Sequence, residues 1–383
     1  MLKKIYIHNF KCFVNFELEF NDINLLLGKN GSGKTTLFEV IHKLQRLICN
    51  KQEVDELFSP DNLPRADYIP AVTQKQKFEL QIEGNGGLYS YAVELEHQSD
   101  RKLLRICNES LKWNQQPLYE FKIEVDKQGY HKGEGRLYND AFTNEAGIPF
   151  PSDWSRSGLG NIYARYDNTK LIWFKQRMNQ FFIVQINPFA MQSECRGEES
   201  HPNWDMSNYT AWFAYLNNGY RDGVFKLEKE LLPDIFDGFK GFDMIPLAES
   251  KRLELKFVVA GKKVSYKLSE ISAGQKALIA LYTLICCLPE RDYTLCIDEP
   301  ENFLALPETQ PWLDQFYQQC QVDKGQGILI SHHPKLINYL AVDNGIWLSQ
   351  EEHIIRSQRI THDPSDSGLS VAELIERGWI YDE

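Results

Sequence analysis

The segment Gly28-Lys29-Asn30-Gly31-Ser32-Gly33-Lys34-Thr35-Thr36 constrains this chain more than any other. It has the form G-x-x-x-x-G-K-[ST]. Glycines in such a loop let backbone N–H groups curl around phosphates, the lysine reaches the β- and γ-phosphates, and the hydroxyl meets Mg2+. Ile23 to Leu27 before it suit a buried strand, and Leu37, Val40, Ile41, Leu44 and Ile48 behind it recur at three- and four-residue steps. Strand, loop and helix therefore follow in the order a phosphate-binding loop requires. The expected nucleotide-binding residues are Gly28, Asn30, Gly31, Ser32, Gly33, Lys34, Thr35 and Thr36, with Thr35 also a metal ligand. ATP and Mg2+ are the expected cofactors.

With 383 residues, 43% of them apolar, the chain can bury a large core and should hold about two structural units. No uncharged run approaches the ~20 residues needed to cross a bilayer, and Met1-Leu2-Lys3-Lys4 leads into a strand-like segment. No membrane partner and a cytoplasmic location are expected. The eight cysteines form no C-x-x-C pair, and Cys286, Cys287 and Cys296 sit among apolar residues, which favours reduced buried thiols over disulfides or zinc. A net charge of −11 argues against a broadly basic coat for nucleic acid.

Three parts emerge along the chain. Residues 1–98 read as a strand-rich lobe around the loop, with Ile5 and Ile7, then Phe16, Leu18 and Phe20, alternating with polar positions. Tyr89, Tyr91, Val93 and Leu95 after Gly84-Asn85-Gly86-Gly87 predict a hairpin. Residues 99–247 hold five of the eight tryptophans and read as an inserted domain. Trp154, Tyr163, Tyr166, Trp173, Phe174, Phe181 and Phe182 in it suit a core first and a docking surface second. Residues 248–383 open on a second hairpin, Leu253-x-Leu255-x-Phe257-x-Val259 answered by Val264, Tyr266 and Leu268.

That hairpin leads into Ile271-Ser272-Ala273-Gly274-Gln275 and an apolar helical stripe from Ala277 to Leu288. Ser272 is a competent N-cap, and the N–H groups behind it form an anion site. Further on, the apolar run Tyr293 to Ile297 delivers Asp298 and Glu299 at the C-terminal end of a strand, the end that faces the ligand crevice in open α/β sheets. Asp298 fits a Mg2+ acid opposite Thr35, and Glu299 is placed to polarise the water that attacks the γ-phosphate. Another strand, Gly327 to Ile330, ends in Ser331-His332-His333-Pro334, where His332 suits a contact to the γ-phosphate or the attacking water. Glu299 and His332 are the expected catalytic residues.

Together these elements resemble the ABC-type ATPase heads of the SMC/RecF class, specifically the compact AAA-like ATP-binding proteins related to the ATPase half of the OLD family. The resemblance covers residues 1–98 and 250–383. Gly28 to Thr36 resembles Walker A, Ile271 to Gln275 the LSGGQ-type signature, Leu295 to Glu299 Walker B and His332 the switch histidine. Ile7 to Phe13 resembles the x-x-N-F-K-x-F opening of these heads. The implied fold is α/β: a P-loop ATPase head of the ABC type with a mixed or antiparallel N-terminal sheet and an inserted α-rich or α+β domain. The implied assembly is a head-to-head homodimer or higher homo-oligomer, in which Ser272, Gly274 and Gln275 of one copy complete the ATP site of the other.

The chain also departs from its relatives. Where they carry Glu-x-x-Leu-His-Pro after the Walker B acids, it has Glu301-Asn302-Phe303-Leu304-Ala305-Leu306-Pro307. Gln74, Gln76 and Gln81 all remain open as the Gln loop. OLD nucleases append a metal-dependent Toprim domain, whereas short secondary structure with the capping box Ser370-Val371-Ala372-Glu373 follows His332. The resulting expectation is an ATPase that regulates or scaffolds a separate effector in a prokaryotic antiphage or toxin-type defence system. The alternative is a RecF-like DNA-repair ATPase on duplex DNA, with DNA or RNA as partner.

Overall fold

The computed structural model describes residues 1–64, 75–98, 103–125, 131–141, 143, 145–288, 292–322, 325–351, 354–361 and 368–378. They fall into two compact units, Met1–Phe181 with Asp343–His362 and Phe182–Val342 with Asp363–Glu383.

The first unit opens with β1 (Leu2–His8), β2 (Phe16–Glu19) and β3 (Ile23–Gly28), followed by α1 (Lys34–Cys49) and α2 (Val54–Leu57). After these come β4 (Lys75–Gly84), β5 (Gly87–Gln98), β6 (Leu103–Trp113), β7 (Gln116–Val125), β8 (His131–Leu137) and β9 (Phe150–Pro151). All of these strands except β3 form one antiparallel sheet in the order β2-β1-β4-β5-β6-β7-β8-β9. The alternation read from sequence sets its apolar face: Phe78, Leu80, Ile82, Tyr89, Tyr91, Val93 and Leu95 are each at most 1% exposed. The β4–β5 turn places Asn85 at φ 48° and Gly86 at φ 72°, as the predicted hairpin requires.

β3 has a different environment. It is buried at every residue and lies parallel to the strand Gly345–Glu351, which turns back antiparallel into Ile354–Arg359. Burial of both faces is what a continuous apolar run predicts for a parallel strand. α1 buries Leu37, Val40, Ile41, Leu44 and Ile48 completely. α3 (Gly158–Asn161) and α4 (Thr169–Asn179) complete the unit; Trp173 and Phe174 of α4 stack on Tyr89.

These boundaries differ from the partition 1–98, 99–247 and 248–383. β5 and β6 pair from Tyr89↔Trp113 to Gln98↔Leu103 with one register shift between Glu94 and Leu95, so residue 98 ends one strand of a continuing sheet. The change of composition there has a physical cause, because β6 buries charge. The Arg105 guanidinium is 2.7 Å from the Glu96 carboxylate, and Glu109, 1% exposed, accepts from Tyr91 Oη (2.9 Å), Ser157 Oγ (2.5 Å) and the Gly158 N–H (3.0 Å). Burial pushes the Glu109 carboxyl above its usual range. Of the seven aromatic residues weighed above, Phe174, Phe181 and Phe182 are buried and Trp154 and Trp173 half-buried, whereas Tyr163 and Tyr166 are 76% and 75% exposed.

The unit division falls inside β10 (Phe181–Val184). The second unit continues with β11 (Glu194–Cys195), α5 (Tyr209–Gly219), α6 (Arg221–Lys226), α7 (Leu232–Ile235), β12 (Phe239–Pro246), β13 (Lys251–Val259) and β14 (Lys262–Lys267). β13 pairs antiparallel with β11, β12 and β14. α8 (Ala273–Cys286), β15 (Thr294–Asp298), α9 (Leu306–Val322), β16 (Gln326–Ile330), α10 (Pro334–Asn344) and α11 (Val371–Arg377) follow. α8 is buried from Lys276 to Ile285, and its Thr283 hydroxyl is 2.9 Å from Tyr209 Oη. The capping box at Ser370 forms as predicted. All eight cysteines are free thiols, and burial pushes Cys286 up to about 12. Among the described residues, no helix is long and apolar enough to cross a membrane.

Glu109→Ala strands three buried donors at once and should cost about 3 kcal/mol. Thermal unfolding measures this, and an unchanged melting temperature would show that the carboxylate holds nothing.

Candidate nucleotide site

The loop Gly28–Thr36, expected to bind phosphate, belongs to the first unit. Gly28 ends β3 at φ 146°, and a Cβ there would stand 2.4 Å from the Leu348 carbonyl oxygen on the parallel neighbour and 2.6 Å from Ser32 Oγ. Close backbone packing therefore fixes where the loop leaves the sheet. Gly33 caps α1 in the left-handed region at φ 90°, with the Phe13 ring and Cys12 Sγ 2.9 and 3.0 Å from the place of its missing Cβ. This packing makes the Asn9-Phe10-Lys11-Cys12-Phe13 turn the floor of the loop. Burial holds the Cys12 thiol above its usual range.

Two polar groups in this loop are buried. The Lys34 ammonium, 7% exposed, donates to the carbonyls of Gly28 (2.7 Å) and Lys29 (3.1 Å). Ser32, 3% exposed, has a buried hydroxyl with no hydrogen-bond partner. A buried cation beside an unsatisfied hydroxyl, at the N-terminus of a 16-residue helix, fits a phosphate group. Thr35 opens the exposed side of that helix. Among the described residues, no group of three or more His, Cys, Asp or Glu could hold a metal ion. Mg2+ characteristically takes one or two carboxylates together with phosphate and water, so it needs no such cluster.

The other motifs belong to the second unit. Ser272 caps α8 through a reciprocal box: the Gln275 N–H donates to Ser272 Oγ (3.2 Å), and the Ser272 N–H donates to Gln275 Oε1 (3.0 Å). The Gln275 side chain is thus occupied in shaping its own helix end. Ser272 remains exposed, and the Phe303 carbonyl lies 2.8 Å from where a Cβ on Gly274 would stand. The turn at Gly274 thus packs against the segment that follows Asp298 and Glu299, where only glycine fits.

β15 and β16 pair in parallel from Thr294↔Gln326 to Asp298↔Ile330, so both deliver their motifs at the same edge. Asp298 is 2% exposed. Glu299 sits at φ 51°, a backbone region that non-glycine residues seldom adopt and that clusters at functional sites. Its N–H donates to the Ile330 carbonyl (2.9 Å), and its Oε2 accepts from Asn302 Nδ2 (2.7 Å). His332 is exposed one residue beyond Ser331. Glu301 Oε1 accepts from Ser331 Oγ (2.6 Å) and the His332 N–H (3.2 Å). Sequence spacing gives no sign of Glu301 as a site residue, because its partners Ser331 and His332 follow a different strand; Asn302 bonds Glu299 within its own loop.

Of the Gln-loop candidates, Gln74 lies outside the described residues. Gln76 is buried on β4, donating to the Asn9 carbonyl (2.9 Å) and 3.0 Å from His97 Nε2. Gln81 sits mid-strand between Lys4 and Ser90.

Gly28→Ala should cost about 2–4 kcal/mol through positive φ and a clash with the Leu348 carbonyl, and should weaken nucleotide binding. Calorimetric titration with ATP beside a thermal melt checks both; wild-type values in the two would refute the close-packing account.

Residues 1–147 match the AAA ATPase domain family. Over 75 residues the chain is 36% identical to the DNA replication and repair protein RecF of Shewanella sp. (strain MR-4), a match covering 17% of this chain and 21% of that protein. RecF of Shewanella oneidensis matches to the same extent, so the chain spans about a fifth of the length of the curated relatives it matches. Among solved structures, an SMC head bound to the C-winged helix domain of ScpA superposes with a TM-score of 0.51 at 12% identity, over 97% of this chain and 99% of that one. The SMC head domain from Thermotoga maritima gives a TM-score of 0.45 at 17% identity, over 94% and 99%. The chain thus has the α/β fold of an SMC head domain.

Proposed function

We propose that this chain binds and hydrolyses ATP with Mg2+, closes head-to-head on ATP with a second copy, and passes that closure to a separate effector, as in a prokaryotic antiphage or toxin-type defence system. The observation that carries the ATP reading is the loop at Ser32 and Lys34, where a buried hydroxyl lacks a partner and a buried ammonium rests on loop carbonyls. Lys34 and the loop amides take the phosphates, Thr35 and Asp298 hold Mg2+, and Glu299 and His332 handle the attacking water. The left-handed backbone at Glu299 and the exposed N-cap at Ser272 support the catalytic and signature roles. A protein partner agrees with the solved SMC head that carries a domain of ScpA. The RecF match favours a second reading, an ATPase that binds duplex DNA in repair; the net charge of −11 weighs against it.

Native mass measured with and without ATP tests the assembly. Glu299→Gln should retain ATP and trap a dimer while turnover falls about 100-fold or more. Ser272→Arg should still bind ATP and remain a monomer. A Glu299→Gln protein that turns over at the wild-type rate refutes the assigned base, and ATP-dependent dimerisation of Ser272→Arg removes the signature role. Co-purification with neighbouring gene products separates an effector partner from a purely DNA-bound role.

A further inference from the structure

The loops after β15 and β16 carry Glu299 and His332, and one side chain joins them. Glu301 lies two residues beyond Glu299, and its Oε1 receives both the Ser331 hydroxyl at 2.6 Å and the His332 N–H at 3.2 Å. Ser331 is fully buried, and its Oγ in turn accepts from the His333 N–H at 3.0 Å. The His332 turn is therefore wound around a hydroxyl that Glu301 anchors. Two further links hold the same loops together: the Glu299 N–H donates to the Ile330 carbonyl at 2.9 Å, and Lys335 Nζ donates to the Leu306 carbonyl at 3.1 Å. Glu301 Oε2 is buried with no hydrogen-bond partner. A carboxylate with one oxygen doubly engaged and the other buried costs desolvation that a loop tolerates only where geometry matters.

We infer that Glu301 is a positioning residue that sets the imidazole of His332 relative to Glu299, so that the two proposed catalytic side chains act as one rigid unit. This rests on the ATPase reading proposed above. Oε1 alone accepts the two hydrogen bonds, so a glutamine carbonyl in its place preserves the clamp. Alanine removes it and leaves the Ser331 hydroxyl and the His332 N–H without their acceptor.

The test is a double-mutant cycle in steady-state ATP hydrolysis. Glu301→Ala should lower kcat about 10- to 100-fold with KM for ATP unchanged. Glu301→Gln should restore most of that rate. The double variant Glu301→Ala/His332→Ala should be no slower than His332→Ala alone, because both changes remove the same element. Losses that multiply, or a glutamine variant as slow as the alanine one, overturn the inference.

A second measurement needs no turnover. Amide exchange at His332 should accelerate in Glu301→Ala and stay slow in Glu301→Gln. Unchanged exchange in the alanine variant overturns the clamp whether or not the wild-type chain hydrolyses ATP. A wild-type chain that shows the expected exchange pattern but no hydrolysis supports the clamp and rejects the ATPase reading alone.

Discussion

The loop from Gly28 to Thr36 depends on how closely two parallel backbones approach. Leu348 places its carbonyl where a side chain on residue 28 would have to stand, so β3 ends on a glycine and the chain departs from the sheet in one direction. Everything that gives the loop its chemistry follows from that departure. Ser32 is folded under, Lys34 is drawn over the loop carbonyls, and α1 begins directly behind Gly33. The aromatic floor is equally indifferent to nucleotide chemistry, since Phe10 packs against Phe58 and Phe78 and Phe13 against Phe16. The preorganisation that an anion site needs therefore comes from backbone and ring packing, which do not change when a ligand arrives.

The second unit uses the same device in another form. A parallel pair places Asp298 and Ile330 side by side, so the residues just beyond them are neighbours without any special sequence relation. Glu299 takes a left-handed backbone at this edge, and Glu301 and Asn302 spend their side chains on holding the neighbouring groups. Strain and buried polar groups concentrate here while the strands below are apolar and regular. Such a distribution suits a site whose rigidity is supplied by the sheet and whose chemistry is carried by the loops.

Local motifs were legible because their physics is local. The strand–loop–helix at Gly28–Thr36, the cap at Ser272, the cap at Ser370 and the two hairpins each follow from residues within a few positions of one another, and all form as the sequence implies. The extent of the large sheet was not legible. β6 buries Arg105 and Glu109, and a buried charge looks like a surface residue until its partner is known. The exposed Tyr163 and Tyr166 and the buried Phe174 share one composition, and only packing separates them.

The sequence by itself determined the strand–loop–helix around Lys34, the acids after Ile297 and the cap before Ala273, because hydrogen bonds and periodicity over short spans admit few alternatives. Tertiary structure alone decided that Glu301 holds the His332 turn, that Gly28 yields to Leu348, and that β6, β7 and β8 extend the N-terminal sheet. Each of these joins groups from separate strands. Their meeting is set by strand register and by the burial of charge against a distant partner, and neither leaves a pattern along the chain.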